Sequence, residues 1–393
     1  MTNSSTERPS GSSALDKTEP GSTGASTGAS TGSAGGEHAA KDAVDVLPVI
    51  ESTGSSQAMA AAGPGGGSTM TRLADMGFFR IIGLVVVLLL IAVVGTITAG
   101  DRFLAADNFQ SILRQGTVVG IVAIGMTFVI TGGGIDLSVG AVVALSSVWA
   151  TTLATQEMAA DTHWLLLVLA AIAVGAGAGL VNGILIAYGK IVAFIATLAM
   201  LVAARGLAEI ISEKRTQIVS STDLPGFYDF FNAKPLGVDM QIWLFAVVAV
   251  LGWVLLNRTT FGRRTFAVGG NPEAARLAGI NVRRHTVLLY VLVGVCAGLA
   301  ALILIAKTTT GSANHAELLE LDAIAAVVIG GTLLAGGRGT ITGTVLGVLI
   351  FNTLTNVFTL NNRPPSEQDV LKGAIIVAAV LLQQWLASRK STT

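Results

Sequence analysis

The run Ile81-Ile-Gly-Leu-Val-Val-Val-Leu-Leu-Leu-Ile-Ala-Val-Val-Gly-Thr-Ile-Thr-Ala-Gly100 carries no charged side chain from end to end. Wound as α-helix at about 1.5 Å per residue, it spans the ~30 Å of a bilayer's hydrocarbon core. Across the chain, 52% of residues are hydrophobic and 12% charged, with a mean hydropathy of +0.70. An ordinary soluble domain carries roughly 25% charged residues, so the bulk of this chain belongs in lipid. The 24 basic and 24 acidic side chains cancel, and no global charge points to nucleic acid. The single cysteine, Cys296, lies in an apolar run, which excludes an intramolecular disulfide and a cysteine metal cluster.

Outward from residues 81–100, apolar runs alternate with short charged loops. With the first they make ten candidate spans: Ile81–Gly100, Gly116–Thr131, Val139–Gln156, Trp164–Tyr188, Ile191–Gly206, Ile242–Leu256, Thr286–Ala306, Ala323–Ala335, Ile341–Leu360 and Leu371–Leu386. The fold class is therefore an all-α membrane protein with about ten transmembrane helices. Several runs are short and interrupted by glycine. Discontinuous helices beside a substrate path and helices buried within protein both account for that. Residues 1–70 differ in kind: Ser, Thr, Gly and Ala dominate, with repeats such as Gly21-Ser-Thr-Gly-Ala-Ser-Thr-Gly. Too few large apolar groups offset the entropy of ordering, so residues 1–70 read as a disordered tail and 71–393 as the membrane domain. The tail lacks the apolar core and cleavage site of a signal peptide.

Lysine and arginine placement sets the orientation. The loop from Asn257 to His285 holds Arg258, Arg263, Arg264, Arg276, Arg283 and Arg284 against one acid, Glu273. Such density marks the cytoplasmic side, and ten spans then put both termini there. An internal echo joins Thr131-Gly-Gly-Gly-Ile-Asp-Leu-Ser-Val-Gly to Ala335-Gly-Gly-Arg-Gly-Thr-Ile-Thr-Gly-Thr. Each follows an apolar run and leads into another, the pattern that duplicated halves around a central path produce. Chance in a glycine-rich chain produces it too.

Within the basic loop, Gly269-Gly270-Asn271-Pro272-Glu273-Ala274-Ala275-Arg276-Leu277-Ala278-Gly279 reads as a short capped helix. Asn271 suits the N-cap, Pro272 the first helical position, Glu273 the positive end of the dipole and Gly279 the residue after the helix. Two turns are marginal alone, so the helix needs a surface to hold it. Residue chemistry leaves two readings open: a docking element presenting Ala274, Ala275 and Leu277, or a connector packed on headgroups or on its own chain.

Asp136, bounded by Gly132, Gly133, Gly134 and Gly140, is a lone acid in apolar surroundings, costing ~2.5–3.5 kcal/mol if it faced lipid at a helix centre. It belongs in a polar cavity or at an interface, where its carboxylate caps the helix opening at Leu137-Ser138-Val139 or touches solute. Ser138, Asn182, Thr197, Asn352 and Asn356 are neutral polar residues in or beside apolar runs. They can line a path for a hydroxyl-rich solute or bond helix to helix. His38, His163, His285 and His315 are scattered, with no zinc spacing, and no phosphate-binding loop occurs. No catalytic or metal-binding residue is expected, and no cofactor bound by this chain.

Four stretches together resemble the permease subunits of bacterial monosaccharide ABC importers, the ribose, xylose, arabinose and galactose class. They are Gly125 to Gly140, Ala193-Phe-Ile-Ala-Thr-Leu, Thr260 to Val282, and Glu320 to Gly339. The resemblance runs from about residue 80 to the end. It implies a vitamin B12 importer-like (type II) fold in the plasma membrane, with two permease subunits, a homodimer, enclosing the path in membrane lipid. It also implies a cytoplasmic ATP-binding subunit holding ATP and Mg, and an extracytoplasmic sugar-binding protein. The stretch Gly269 to Gly279 is then where the ATPase docks. The segment Ser312-Ala-Asn-His-Ala-Glu-Leu-Leu departs from that family's pattern, and no nucleic acid is expected as partner. The expected function is import of a monosaccharide, a pentose such as ribose or xylose, powered by the partner. A sugar alcohol or branched-chain amino acid in the same machinery is the alternative, and an ion-coupled secondary carrier the second.

Overall fold

The computed structural model describes residues 69–364 and 366–374, together with 377 and 381. Helices run in the order α1 (Thr69–Ala99), α2 (Asp101–Leu104), α3 (Ala106–Thr131), α4 (Val139–Ala150), α5 (Leu153–Asp161), α6 (Leu165–Ala187), α7 (Ala193–Ile211), α8 (Pro225–Asn232) and α9 (Met240–Arg258). After them come α10 (Thr260–Gly270), α11 (Pro272–Leu277), α12 (Val282–Thr308), α13 (Leu319–Ile329) and α14 (Ile341–Leu360). The one sheet among the described residues pairs β1 (Gln217–Ile218) antiparallel with β2 (Thr310–Gly311).

Among the described residues, seven helices are long and apolar enough to cross a membrane: α1 from Arg80, then α3, α6, α7, α9, α12 and α14. An eighth span forms if α4 and α5 count as one, bent by 57°. The sequence places ten spans over the same chain. The third of them, Val139–Gln156, is this bent pair, broken where the Thr151 hydroxyl turns back to the Ser147 carbonyl at 2.8 Å. The eighth, Ala323–Ala335, is α13, whose 11 residues reach only about 16 Å. Of the tenth, Leu371–Leu386, residues 371–374 continue a helix from 366, while most of the rest lies outside the described residues. The expected tail also lies outside them, apart from Thr69 and Met70, which open α1.

Two kinds of span result from two kinds of surroundings. α1 leaves Leu89, Leu90 and Ile97 exposed on an uncharged surface, as lipid contact requires. From Gly116 to Thr131, α3 is buried throughout, and α12 is buried along most of its length. Lipid gives no hydrophobic drive for apolar helices to associate, so close backbone packing has to hold them together. On α6, Gly175 packs against Gly294 and Gly298 of α12, and Gly179 and Gly183 pack against the α12 backbone at Tyr290 and Val287. A methyl group added at Gly179 would collide with the Tyr290 carbonyl oxygen, and one at Gly183 would sit 2.7 Å from the Val287 Cα.

α13 is entered from unwound chain and ends early, at Ile329 before Gly330 and Gly331. Between α12 and α13, residues 312–318 run along α4: the His315 Nδ1 lies 3.2 Å from the Ser147 hydroxyl, and a methyl group on Gly140 would meet the Ala316 carbonyl at 2.5 Å. Non-helical backbone is tolerated at membrane depth only where protein satisfies it. Arg205 of α7 does so, donating to the carbonyls of Ala313 and His315.

Two substitutions separate packing from composition. Gly179→Leu should destabilise the fold by at least the ~1–3 kcal/mol typical of overpacking, lowering the unfolding temperature and the monodisperse fraction in detergent. Gly177→Leu, at a position with nothing within 4 Å, should leave both unchanged. Equal loss in the two variants would contradict the packing account.

Candidate functional site

The chain between α9 and α12 folds into a bracket of two helices. Sequence reading finds only the second and treats Gly269 and Gly270 as loop. In the structure they are the last residues of α10, which the Thr259 side chain caps by accepting from the Gly262 amide at 3.3 Å. The available cue is a threonine three residues before a close-packed glycine, in a stretch whose arginines otherwise suggest a loop. α10 is anchored by buried Val268 and by the Thr265 hydroxyl, 2.9 Å from the His285 Nε2 of α12. Arg258, Arg263, Arg264, Arg276, Arg283 and Arg284 are all at least partly exposed around it.

α11 follows its sequence signature closely. The Asn271 side chain accepts from the amides of Glu273 at 3.1 Å and Ala274 at 3.0 Å, and Pro272 opens the helix. At the other end, the Gly279 amide donates to the Arg276 carbonyl and the Ile280 amide to the Ala275 carbonyl, both at 3.0 Å. This is the paired-bond glycine cap, and it requires the left-handed φ of +83° that Gly279 adopts. Glu273 and Arg276 pair along the exposed face, the Arg276 Nε lying 3.1 Å from the carboxylate. That hydrogen bond, then the charge of Arg276, holds the Glu273 carboxyl below its ordinary value of 4.5 and raises Arg276. Ala275 is the one buried residue of α11, while Ala274 is exposed and Leu277 is 77% exposed. So α11 packs on its own chain through one methyl group and presents the rest outward.

The six path candidates fall into separate places. Asp136, Ser138 and Asn182 meet: the Asp136 carboxylate accepts from the Ser138 amide at 2.8 Å and hydroxyl at 2.6 Å, and the Asn182 amide donates to that hydroxyl at 2.9 Å. All three are buried beside Gly179 and Gly294 at the start of α4, packed too closely to leave room for a water molecule. The Asp136 carboxylate thus accepts from the amide of Ser138, the residue that caps α4, and Ser138 makes no side-chain cap bond of its own. Thr197 bonds within its own helix, to the Ala193 carbonyl at 2.9 Å. Asn352 does likewise, to the Val348 carbonyl at 2.9 Å, and Asn356 donates to Asn108 at 2.8 Å, tying α14 to α3.

Sequence reading sees Asp136 as the lone ionisable group among the apolar runs, and the structure adds two more. Arg205 lies inside α7, and Glu320 is buried in the first turn of α13, where a methyl group on Gly140 would collide with its carboxylate. Both sit near the ends of apolar runs, where a charge reads as a loop residue until the unwound segment 312–318 folds back against α4.

Residues 108–380 match the family model described as the branched-chain amino acid transport system / permease component, and the chain belongs to that family. It is 40% identical to the ribose import permease protein RbsC of Escherichia coli strain K12 over 302 residues, 76% of this chain and 92% of that protein. Identity is 38% over 309 residues to the L-arabinose ABC transporter permease protein AraH of Azospirillum brasilense, covering 78% and 88% of the two chains. Against the galactose/methyl galactoside import permease protein MglC of Salmonella typhimurium strain LT2 it is 35% over 339 residues, covering 82% and 98%. No solved structure matches the chain. The protein is thus a multi-pass membrane permease, a transport subunit.

Both caps of α11 are open to measurement by hydrogen exchange of a peptide spanning residues 269–281. Asn271→Ala and Gly279→Ala should each cost α11 about 1 kcal/mol, roughly five-fold faster exchange, with the flanking α10 and α12 unaffected. The Glu273 pair contributes above the ordinary carboxylate value and is lost as pH falls through the depressed one. Protection corrected for intrinsic exchange should therefore stay level from pH 6 to 9, within about the range where both partners are charged, and Glu273→Gln should lower it there. Unaltered exchange in the cap variants would show that α11 is held by something other than its caps.

Proposed function

We propose that this chain is the membrane-spanning subunit of a binding-protein-dependent ABC importer, carrying a monosaccharide, a pentose such as ribose or xylose, into the cell. The observation that carries this reading is α11: a helix saturated with caps, ringed by arginines, burying only Ala275 and offering Leu277 outward. A self-packed connector would bury its one large apolar residue. A docking element leaves it for a partner, and a lone apolar anchor with an arginine beside it is the composition of an interface centre.

The partner is a cytoplasmic ATP-binding subunit carrying ATP and Mg, which puts the arginine-rich end, and with it both termini, on the cytoplasmic side. A second copy of this chain completes the path, and an extracytoplasmic binding protein delivers the sugar. The fold is of the vitamin B12 importer type with about ten spans, α13 and the bent α4–α5 pair being its incomplete members. Closure of the ATPase dimer pushes on α11 and rocks the helices about the central path. Three similar permeases bear the names of ribose, arabinose and galactose systems, which favours a sugar over a sugar alcohol or a branched-chain amino acid. Membership of an ABC permease family disfavours an ion-coupled carrier.

Two measurements test this. Leu277→Asp should cut co-purification of the ATP-binding subunit about ten-fold or more, as loss of an interface anchor does. In proteoliposomes holding the complete complex and its binding protein, labelled ribose or xylose should accumulate only with ATP inside, and galactose more slowly. Uptake driven by an ion gradient without ATP would overturn the proposal, as would undiminished ATPase binding by Leu277→Asp.

A further inference from the structure

The two echoed glycine turns and the end of α10 meet at one point. The Gly337 amide donates to the Thr131 carbonyl at 2.8 Å, joining the turn before α14 to the end of α3. A methyl group on Gly269 would collide with that same Thr131 carbonyl oxygen and lie 2.7 Å from the Gly337 nitrogen. One on Gly336 would lie 2.8 Å from the Gly269 carbonyl oxygen and 2.9 Å from the Gly133 Cα, and one on Gly337 would lie 2.9 Å from the Gly270 Cα. Gly133, Gly336 and Gly337 have φ of +84°, +83° and +73°, so each turn needs glycine twice over, for conformation and for space.

We infer that this three-way glycine junction relays displacement of α11 to both halves of the permease, with Gly269 as the positioning residue at its centre. The inference rests on the reading of α11 as the ATPase-docking helix. Its physical basis is stiffness. Contact between side chains absorbs movement through rotamer changes, whereas backbone resting on backbone has no such freedom and passes movement on. Gly270 and Asn271 alone separate Gly269 from Pro272, and the Asn271 amide donates to the Ala267 carbonyl at 3.1 Å, so the one extended residue joining α11 to α10 is itself tied to the last turn of α10. A push on α11 moves Gly269 against Thr131 and Gly133 in the first half and against Gly336 and Gly337 in the second. The halves receive one displacement together because their equivalent turns touch each other as well as α10.

Adjacent glycines provide the test. Gly269→Ala intrudes into the junction, whereas Gly270→Ala meets nothing within 4 Å. In the complete complex with ATPase and binding protein, Gly269→Ala should lower binding-protein-stimulated hydrolysis and sugar uptake ten-fold or more, and at least five-fold further than it lowers the yield of assembled complex; Gly270→Ala should show the smaller loss of uptake. A structural role alone would lower assembly, basal hydrolysis and uptake in parallel, and that result would overturn the relay. Should Gly269→Ala fail to fold, insertion of Gly-Gly between Gly270 and Asn271 leaves every junction contact in place and slackens the tie to α11. The relay requires this variant to bind ATPase yet lose uptake ten-fold, and wild-type uptake would overturn it. Leu277→Asp keeps the two ideas apart. If it leaves ATPase binding intact the docking reading fails, whereas if it abolishes binding while the Gly269 and insertion variants transport normally, docking stands and the relay falls.

Discussion

Everything in this bundle depends on how backbone approaches backbone in a medium that hydrogen-bonds to nothing. With no drive to bury apolar side chains away from lipid, cohesion comes from close packing and internal polar bonds. Glycine supplies the first where α6 meets α12, where α13 meets α14 through Gly330 and Gly343, where α3 meets α12 at Gly125, and at the junction of the two turns with α10. Polar side chains supply the second. Thr127 and Thr344 share a 2.7 Å bond between α3 and α14, and Arg80 of α1 reaches the Gly331 carbonyl and the Thr340 hydroxyl, each at 2.9 Å.

The same constraint explains why unwound backbone appears where it does. Segment 312–318 breaks the helical ladder, and each carbonyl it buries needs a donor from the protein. Arg205 meets that demand for Ala313 and His315, so an arginine inside an apolar helix is structural here. The segment is also held where it begins, because β2 immediately before it pairs with β1. Midway along, the His315 ring meets the Ser147 hydroxyl of α4, so the path of the chain is fixed by three separate elements.

How much of this the sequence discloses follows from the range of each signal. Seven long spans and both caps of α11 are local: twenty apolar residues, or Asn-Pro-Glu followed by glycine, carry their reading with them. The echo of Thr131-Gly-Gly-Gly and Ala335-Gly-Gly is also visible, but that the two turns touch is a tertiary fact that similarity alone does not contain. α13 reads as a full span because its apolar run continues to Ala335, whereas the helix ends at Ile329 before two glycines, Gly331 at φ +82°. α10 is hidden because its arginines resemble a loop when the anchoring contact, Thr265 to His285, is twenty residues away. Asn352 and Asn356 bond to the Val348 carbonyl and to Asn108, a fact their sequence does not carry: a buried amide facing solute and one bonded to a helix have the same local sequence.

The shape of the bracket bears on how a six-residue helix can carry load at all. Isolated, so short a helix is unstable, because nucleation costs more than a turn of hydrogen bonds returns. α11 is spared that cost at both ends, by Asn271 and by the paired bonds around Gly279, and its caps need no partner chain to form. Its base is held from two sides, by α12 through the His285 contact and by both glycine turns through Gly269. A flexible loop in the same place would yield to an applied force. A capped helix on a backbone-to-backbone seat moves with its seat, so the rigidity of α10 and α11 and the sparse burial of α11 belong together. The first lets a displacement be felt within the bundle, and the second leaves a surface that can be gripped from outside.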